Sequence, residues 1–84
     1  MPKTALIADD SRTMRQMVAD ALRAAGFEVI AGKDGADALR LAAGRAVDLV
    51  VTDFNMPGMN GLETAALIRR RKRSAHTPII FLTA

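Results

Sequence analysis

The sequence predicts an α/β fold, in which four parallel strands form one doubly wound sheet of order 2-1-3-4. Short apolar segments alternate with helical ones, and Gly, Pro and Asp residues separate them, which is typical of βαβ units. Right-handed crossovers then leave only a few strand orders. The whole chain, residues 1–84, is interpreted as one domain. The predicted strands are Thr4–Ala8, Phe27–Ala31, Val47–Thr52 and Pro78–Thr83.

The segments between the strands are predicted to form three helices. In the first, apolar residues recur at helical spacing, so Met14 and Met17 are expected to pack in the core. Asp10 or Ser11 can cap its start, and Gly26 suits the left-handed position after its end. The predicted helices are Ser11–Ala25, Gly35–Ala43 and Leu62–Arg71.

Composition and charge exclude several classes of protein. Half of the residues are hydrophobic and a quarter are charged, which is not the composition of a disordered tail. No apolar run reaches the ~20 residues of a membrane span, and the first apolar segment is too short for a signal peptide. Cys is absent, which excludes disulfides. We therefore expect a cytoplasmic protein that does not contact the membrane.

The basic residues are concentrated in one run. Five of the twelve lie in Arg69–Arg73, at the end of the third predicted helix, where cations complement the helix dipole. These side chains are expected to be solvated. The chain has only three aromatic residues, none of them within the run, so nucleic-acid binding is not predicted. His76 has no partner His or Cys for a metal and is expected at the surface.

Three carboxylates directly follow predicted strands. Asp9 and Asp10 come after the first strand, and Asp53 comes after the third. In the order 2-1-3-4 these strands are neighbours, and open α/β sheets bind ligands where the chain direction reverses between them. Like charges placed together need a cation, and Mg²⁺ prefers oxygen ligands. Taken singly, each acid could merely cap a helix or begin a turn, but together they indicate a metal and phosphoryl site.

Three segments resemble the receiver domains of two-component response regulators, and the chemotaxis receivers in particular. The segments are ADDS at 8–11, VVTDFNMPGMNGLE at 50–63 and PIIFLTA at 78–84. The resemblance covers the whole chain and implies a flavodoxin-like fold. It also implies a signalling module of a phosphorelay rather than an enzyme.

The resemblance assigns a role to each residue of the predicted site. Asp53 would accept phosphate from a phosphohistidine of a sensor histidine kinase. Asp10, Asp53 and the main-chain carbonyl of Asn55 would hold Mg²⁺, with Asp9 acting partly through water. Thr83 would supply the switch hydroxyl that turns toward the phosphoryl group.

The family pattern continues beyond Thr83 with a fourth helix, a fifth strand ending in lysine and a fifth helix. We therefore expect a C-terminally truncated receiver domain whose phosphorylation is impaired. The segment Pro78–Thr83 would become an apolar edge strand, and such edges pair with other chains. A homo-oligomer through this fourth strand is predicted.

Two alternative functions stay open. The chain could be an association module that assembles through its fourth strand. Less favoured is an aspartyl-phosphate hydrolase, because such enzymes place a second acid two residues after the nucleophile, and Asn55 stands there.

Overall fold

Strands and helices alternate as the sequence predicts in the computed structural model, which describes residues 2–71 and 75–82. Thr83 lies outside the described residues, as do Lys72 and Arg73 of the basic run. Ser11, Asp34 and Asn60 each accept a backbone N–H and cap the helices. The elements are β1 (Thr4–Ala8), α1 (Arg12–Ala24), β2 (Glu28–Gly32), α2 (Gly35–Leu41), β3 (Leu49–Asp53), α3 (Gly61–Arg69) and β4 (Ile79–Leu82).

All four strands run parallel in the order β2-β1-β3-β4, which confirms the predicted 2-1-3-4 sheet. Leu6 of β1 pairs with Ile30 on one side and with Val50 on the other. The chain moves outward from β1 to β2 and then returns across β1 to β3. Right-handed crossovers in these opposite directions place α1 on one face of the sheet and α2 and α3 on the other.

The main core lies between the sheet and the pair α2 and α3. The helices approach each other closely at Gly35, where an added Cβ would collide with the Thr64 hydroxyl. Leu6, Val50 and Ile68 of this core are fully buried. The cluster comprises Leu6, Ala8, Ile30, Ala38, Ala42, Val47, Val50, Met56 and Ile68.

Strands β2 and β3 each begin later than predicted, where long-range hydrogen bonds start their pairing with β1. β2 begins at Glu28, which pairs with Thr4, and β3 begins at Leu49. Val47 and Asp48 instead anchor the start of the sheet, since the Val47 carbonyl accepts the Thr77 hydroxyl and the Asp48 carboxylate accepts the Thr4 amide. These two residues bind across the sheet before β3 begins.

The prediction that Met14 and Met17 pack in the core is wrong. The two residues are 42% and 62% exposed, respectively, whereas Ala19 of the same helix is buried. Successive helical residues turn by about 100°, so the two methionines point well away from Ala19. The apolar stripe of α1 is wider than the part that contacts the sheet.

The prediction of a solvated basic run is wrong for Arg71. Arg69 and Arg70 are exposed, but Arg71 is half-buried. Its Nη2 donates to the carbonyl oxygens of Ala42 at 2.8 Å and Arg45 at 2.9 Å. Ala42 is the C-cap of α2, and its carbonyl also accepts the Arg45 backbone N–H at 3.0 Å, so Arg71 adds a second hydrogen bond at the end of this helix.

We expect Arg71→Met to destabilise the fold by about 1.5 kcal/mol, the low end for hydrogen bonds made by a charged group. The low end applies because Nη1 is buried with no hydrogen-bond partner among the described residues, and this unsatisfied donor offsets part of what the Nη2 bonds contribute. Arg70→Met, which removes an equal charge from an exposed neighbour, should change stability by less than about 0.5 kcal/mol. Urea unfolding measures both. Equal losses would show that Arg71 contributes only its charge.

Candidate functional site

The parallel register of β1 and β3 brings the three predicted carboxylates together. Ala8 is paired with Thr52, so Asp9 and Asp53 emerge side by side at the same edge of the sheet. Asp10 follows in the loop before α1. One carboxylate oxygen from each of Asp9, Asp10 and Asp53 lies within 4.8 Å of the other two. Sequence and structure therefore agree on where the acidic cluster lies.

Asp9 is the buried member of the cluster, with 2% of its surface exposed. Its Oδ1 accepts the Ser11 amide at 2.8 Å. Burial raises the pKa of Asp9, and the charges of Asp53 and Asp10 raise it further, against the Ser11 amide and the cation of Arg15. A raised pKa means that ionised Asp9 costs stability at neutral pH and that the cost declines as the pH falls through the folded-state value.

Asp53 is half-buried at the last position of β3, so its carboxylate can be reached from solvent. The Asn55 backbone N–H donates to the Asp53 Oδ1 at 3.4 Å, which is a long hydrogen bond. The main chain behind Asp53 is tightly packed against Gly61, where an added Cβ would collide with the Asp53 carbonyl oxygen. Gly61 is thus required by the close approach of α3 to the end of β3.

The loop after Asp53 is held at both ends. Gly58 turns the chain at φ 76°, which favours glycine. Asn60 then caps α3 in a reciprocal pair with Glu63, each side chain accepting the other residue's backbone N–H. Phe54 packs edge-on against Phe81 of β4, with ring centroids 5.8 Å apart. The loop is therefore fixed relative to β4 as well as α3.

Arg15 belongs to the surroundings of the cluster, and sequence reasoning did not select it. Its Nη1 donates to the main-chain carbonyl of Asp9 at 2.8 Å. Arg12 and Arg15 both lie near the start of α1, where a cation opposes the helix dipole, so nothing in the sequence distinguishes one from the other. Of the remaining predicted site residues, Asn55 is exposed beside Asp53. The metal-binding role of its carbonyl stays a prediction, as does the switch role of Thr83.

The donor set suits a small, hard divalent cation. Carboxylate oxygens are the ligands that Mg²⁺ prefers, and Mg²⁺ normally retains several waters. Asp10 is exposed, which leaves an open side for such waters. Three negative charges in so small a space repel one another unless a cation neutralises them. The cluster is therefore complementary to Mg²⁺ in both ligand type and charge.

Within the described part of the chain, no helix has the length and apolar character needed to cross a membrane. The longest described helix, α1, has 13 residues.

Comparison with known proteins gives a consistent result. Residues 5–84 match the response regulator receiver domain family. The chemotaxis protein CheY of Pseudomonas aeruginosa is 40% identical over 80 residues, which are 94% of this chain and 64% of that protein. The structure of Vibrio cholerae CheY4 superimposes with a TM-score of 0.91 at 37% identity, over 96% of this chain and 68% of that one.

A third relative, the response regulator TrrA of Thermotoga maritima, has 36% identity and a TM-score of 0.83, over 98% of this chain and 70% of that one. The chain spans between about a third and two thirds of the length of the first curated relatives it matches. The family match covers nearly the whole sequence, and the sheet order and acidic edge agree with it. The chain therefore belongs to the receiver domain family of two-component response regulators.

Proposed function

We propose that this receiver domain accepts a phosphoryl group on Asp53 from the phosphohistidine of a sensor histidine kinase. The observation that carries the proposal is the convergence of Asp9, Asp10 and half-exposed Asp53 at one edge of the sheet. The TrrA relative, whose structure is a complex with Mg²⁺–BeF, supports it by analogy. This transfer is proposed to take place in the cytoplasm.

Asp9, Asp10, Asp53 and the main-chain carbonyl of Asn55 are the proposed ligands of Mg²⁺. When bound, Mg²⁺ would draw negative charge from the phosphoryl oxygens during transfer. Asp9 is held by the Ser11 amide and so has a fixed orientation, whereas Asp10 and Asp53 face solvent. Thr83, which follows β4, is the proposed switch hydroxyl.

In the proposed transfer, a carboxylate oxygen of Asp53 attacks phosphorus and forms an acyl phosphate. The bond from phosphorus to the histidine nitrogen breaks, and that nitrogen keeps the electron pair. The Asn55 backbone N–H lies beside Asp53 and donates a long hydrogen bond to its carboxylate. Gly61 packs closely against the main-chain carbonyl of Asp53, at the end of the strand that carries the nucleophile.

The hydrolase alternative is disfavoured by the residue beside the nucleophile. The Asn55 side chain is an amide, which does not exchange a proton at neutral pH, so it cannot act as a general acid or base. The acyl phosphate would therefore persist as a signal rather than turn over. Sustained release of phosphate from a small phosphoester would instead favour the enzyme.

Incubation with acetyl phosphate and Mg²⁺ tests phosphorylation directly. We expect slow labelling, limited to one base-labile phosphate per chain, as acetate leaves. Asp53→Asn should abolish the label because an amide is not a nucleophile, whereas Asp20→Asn, at an exposed acid of α1, should keep it. Intact-protein mass spectrometry follows both. No label in the parent chain after prolonged incubation, or a label that survives Asp53→Asn, would contradict the proposal.

We also propose that chains associate through β4. Among the described residues β4 pairs only with β3, and it lies at the edge of the sheet. Ile80 on this strand is 49% exposed. An edge strand presents unpaired backbone groups, and burying a large apolar side chain contributes about 1.5–3 kcal/mol. This pairing is the basis of the association-module alternative.

Sedimentation velocity at micromolar concentration tests the association. A dimer or larger assembly is expected for the parent chain, and Ile80→Lys should shift it to monomer by placing a charge on the edge. Leu62→Lys is the matched control, because Leu62 is 53% exposed and belongs to α3 rather than to the edge strand. A stable monomer in the parent chain would refute association through β4.

A further inference from the structure

The peptide between Asp9 and Asp10 determines where two of the three carboxylates point. The Asp9 side chain is fixed by the Ser11 amide, but the described residues make no hydrogen bond to the Asp10 carboxylate. The place from which the Asp10 side chain projects therefore depends on the backbone alone. The Asp9 carbonyl lies in the peptide plane that leads into Asp10, so any group that holds this carbonyl also orients Asp10.

Arg15 is the group that holds this carbonyl. Its Nη1 donates to the Asp9 oxygen at 2.8 Å, and its backbone N–H donates to the Ser11 carbonyl at 2.9 Å. One residue thus fixes the turn between β1 and α1 at two points. Arg15 is half-buried, whereas Arg12, in the same helical turn, is exposed.

The charge of Arg15 opposes two features of its surroundings. A cation in the first turn of α1 is unfavourable for the helix dipole. It also lowers the net negative charge near a site that binds a cation, so by Coulomb attraction alone it would weaken Mg²⁺ binding. Coulomb attraction to Mg²⁺ therefore cannot explain a gain in Mg²⁺ affinity from Arg15, whereas the carbonyl that it holds can.

We propose that Arg15 is a positioning residue, which orients Asp10 toward Asp9 and Asp53 by fixing the Asp9 carbonyl and thereby strengthens Mg²⁺ binding. This inference rests on the proposed metal site and adds a residue to it. Groups that orient metal ligands from outside the coordination sphere commonly change metal affinity by about 10–100-fold.

The Arg15→Met variant separates the positioning effect from the charge effect, because the two change Mg²⁺ affinity in opposite directions. If the geometry dominates, the variant should bind Mg²⁺ about ten-fold more weakly than the parent chain, although it has lost a cation. Arg12→Met removes the same charge from the same helical turn. It should change the affinity by less than about two-fold, or increase it. Titration with Mg²⁺ alone, followed by amide chemical shifts, gives each dissociation constant.

Arg15→Lys is the control for a loss of Mg²⁺ affinity that arises only because Arg15→Met folds poorly. Lysine retains the charge and a donor at the end of a long side chain, so it should recover part of the lost affinity while Arg15→Met does not. Equal affinity in Arg15→Met and Arg12→Met would overturn the inference and leave the metal site intact. Failure of the parent chain to bind Mg²⁺ would overturn both the metal site and the role of Arg15.

Discussion

The mutual repulsion of three carboxylates at the meeting point of β1 and β3 is the constraint on which the site depends. Asp9, Asp10 and Asp53 would separate in water, yet their oxygens lie within 4.8 Å of one another. Two of them are held there by the backbone, because β1 and β3 are adjacent parallel strands that end at the same edge. The sheet thus stabilises an arrangement that is unfavourable by itself.

Close packing and hydrogen bonds around the cluster keep the main chain of Asp9 and Asp53 in place despite this repulsion. The main chain of Asp53 is backed by Gly61, which leaves no room for a side chain. Beyond the end of the neighbouring strand β1, the Ser11 amide stabilises the Asp9 carboxylate and Arg15 holds the Asp9 carbonyl. A divalent cation, for which carboxylate oxygens are preferred ligands, would neutralise the repulsion that remains.

The sequence predicts the sheet order and the acidic cluster because both follow from local patterns. Alternating apolar and helical segments indicate a parallel sheet with only a few possible strand orders. In the order 2-1-3-4, Asp residues after the neighbouring strands β1 and β3 lie close together. The exposure of Met14 and Met17 could not be predicted in the same way. Helical spacing identifies an apolar stripe, but it does not show how much of the stripe the sheet covers.

The contacts of Arg71 and Arg15 show a second limit of sequence reasoning. Arg71 binds carbonyls 26 and 29 residues earlier in the chain, and composition alone suggested a solvated run. Arg15 is six residues from Asp9, but its bond depends on how the turn brings α1 back over the end of β1. Both side chains bind main-chain carbonyls, which every residue has, so no partner residue type signals the contact.

The three-carboxylate cation site is tested most directly by the free energy of unfolding, measured for the parent chain and for Asp10→Asn, each with and without Mg²⁺. The repulsion predicts that Asp10→Asn is the more stable protein without Mg²⁺. At a concentration ten times its dissociation constant, Mg²⁺ should stabilise the parent chain by about 1.4 kcal/mol and the variant by far less. If Asp10→Asn lowers stability without Mg²⁺, or gains as much from Mg²⁺ as the parent chain does, the carboxylates do not form one cation site.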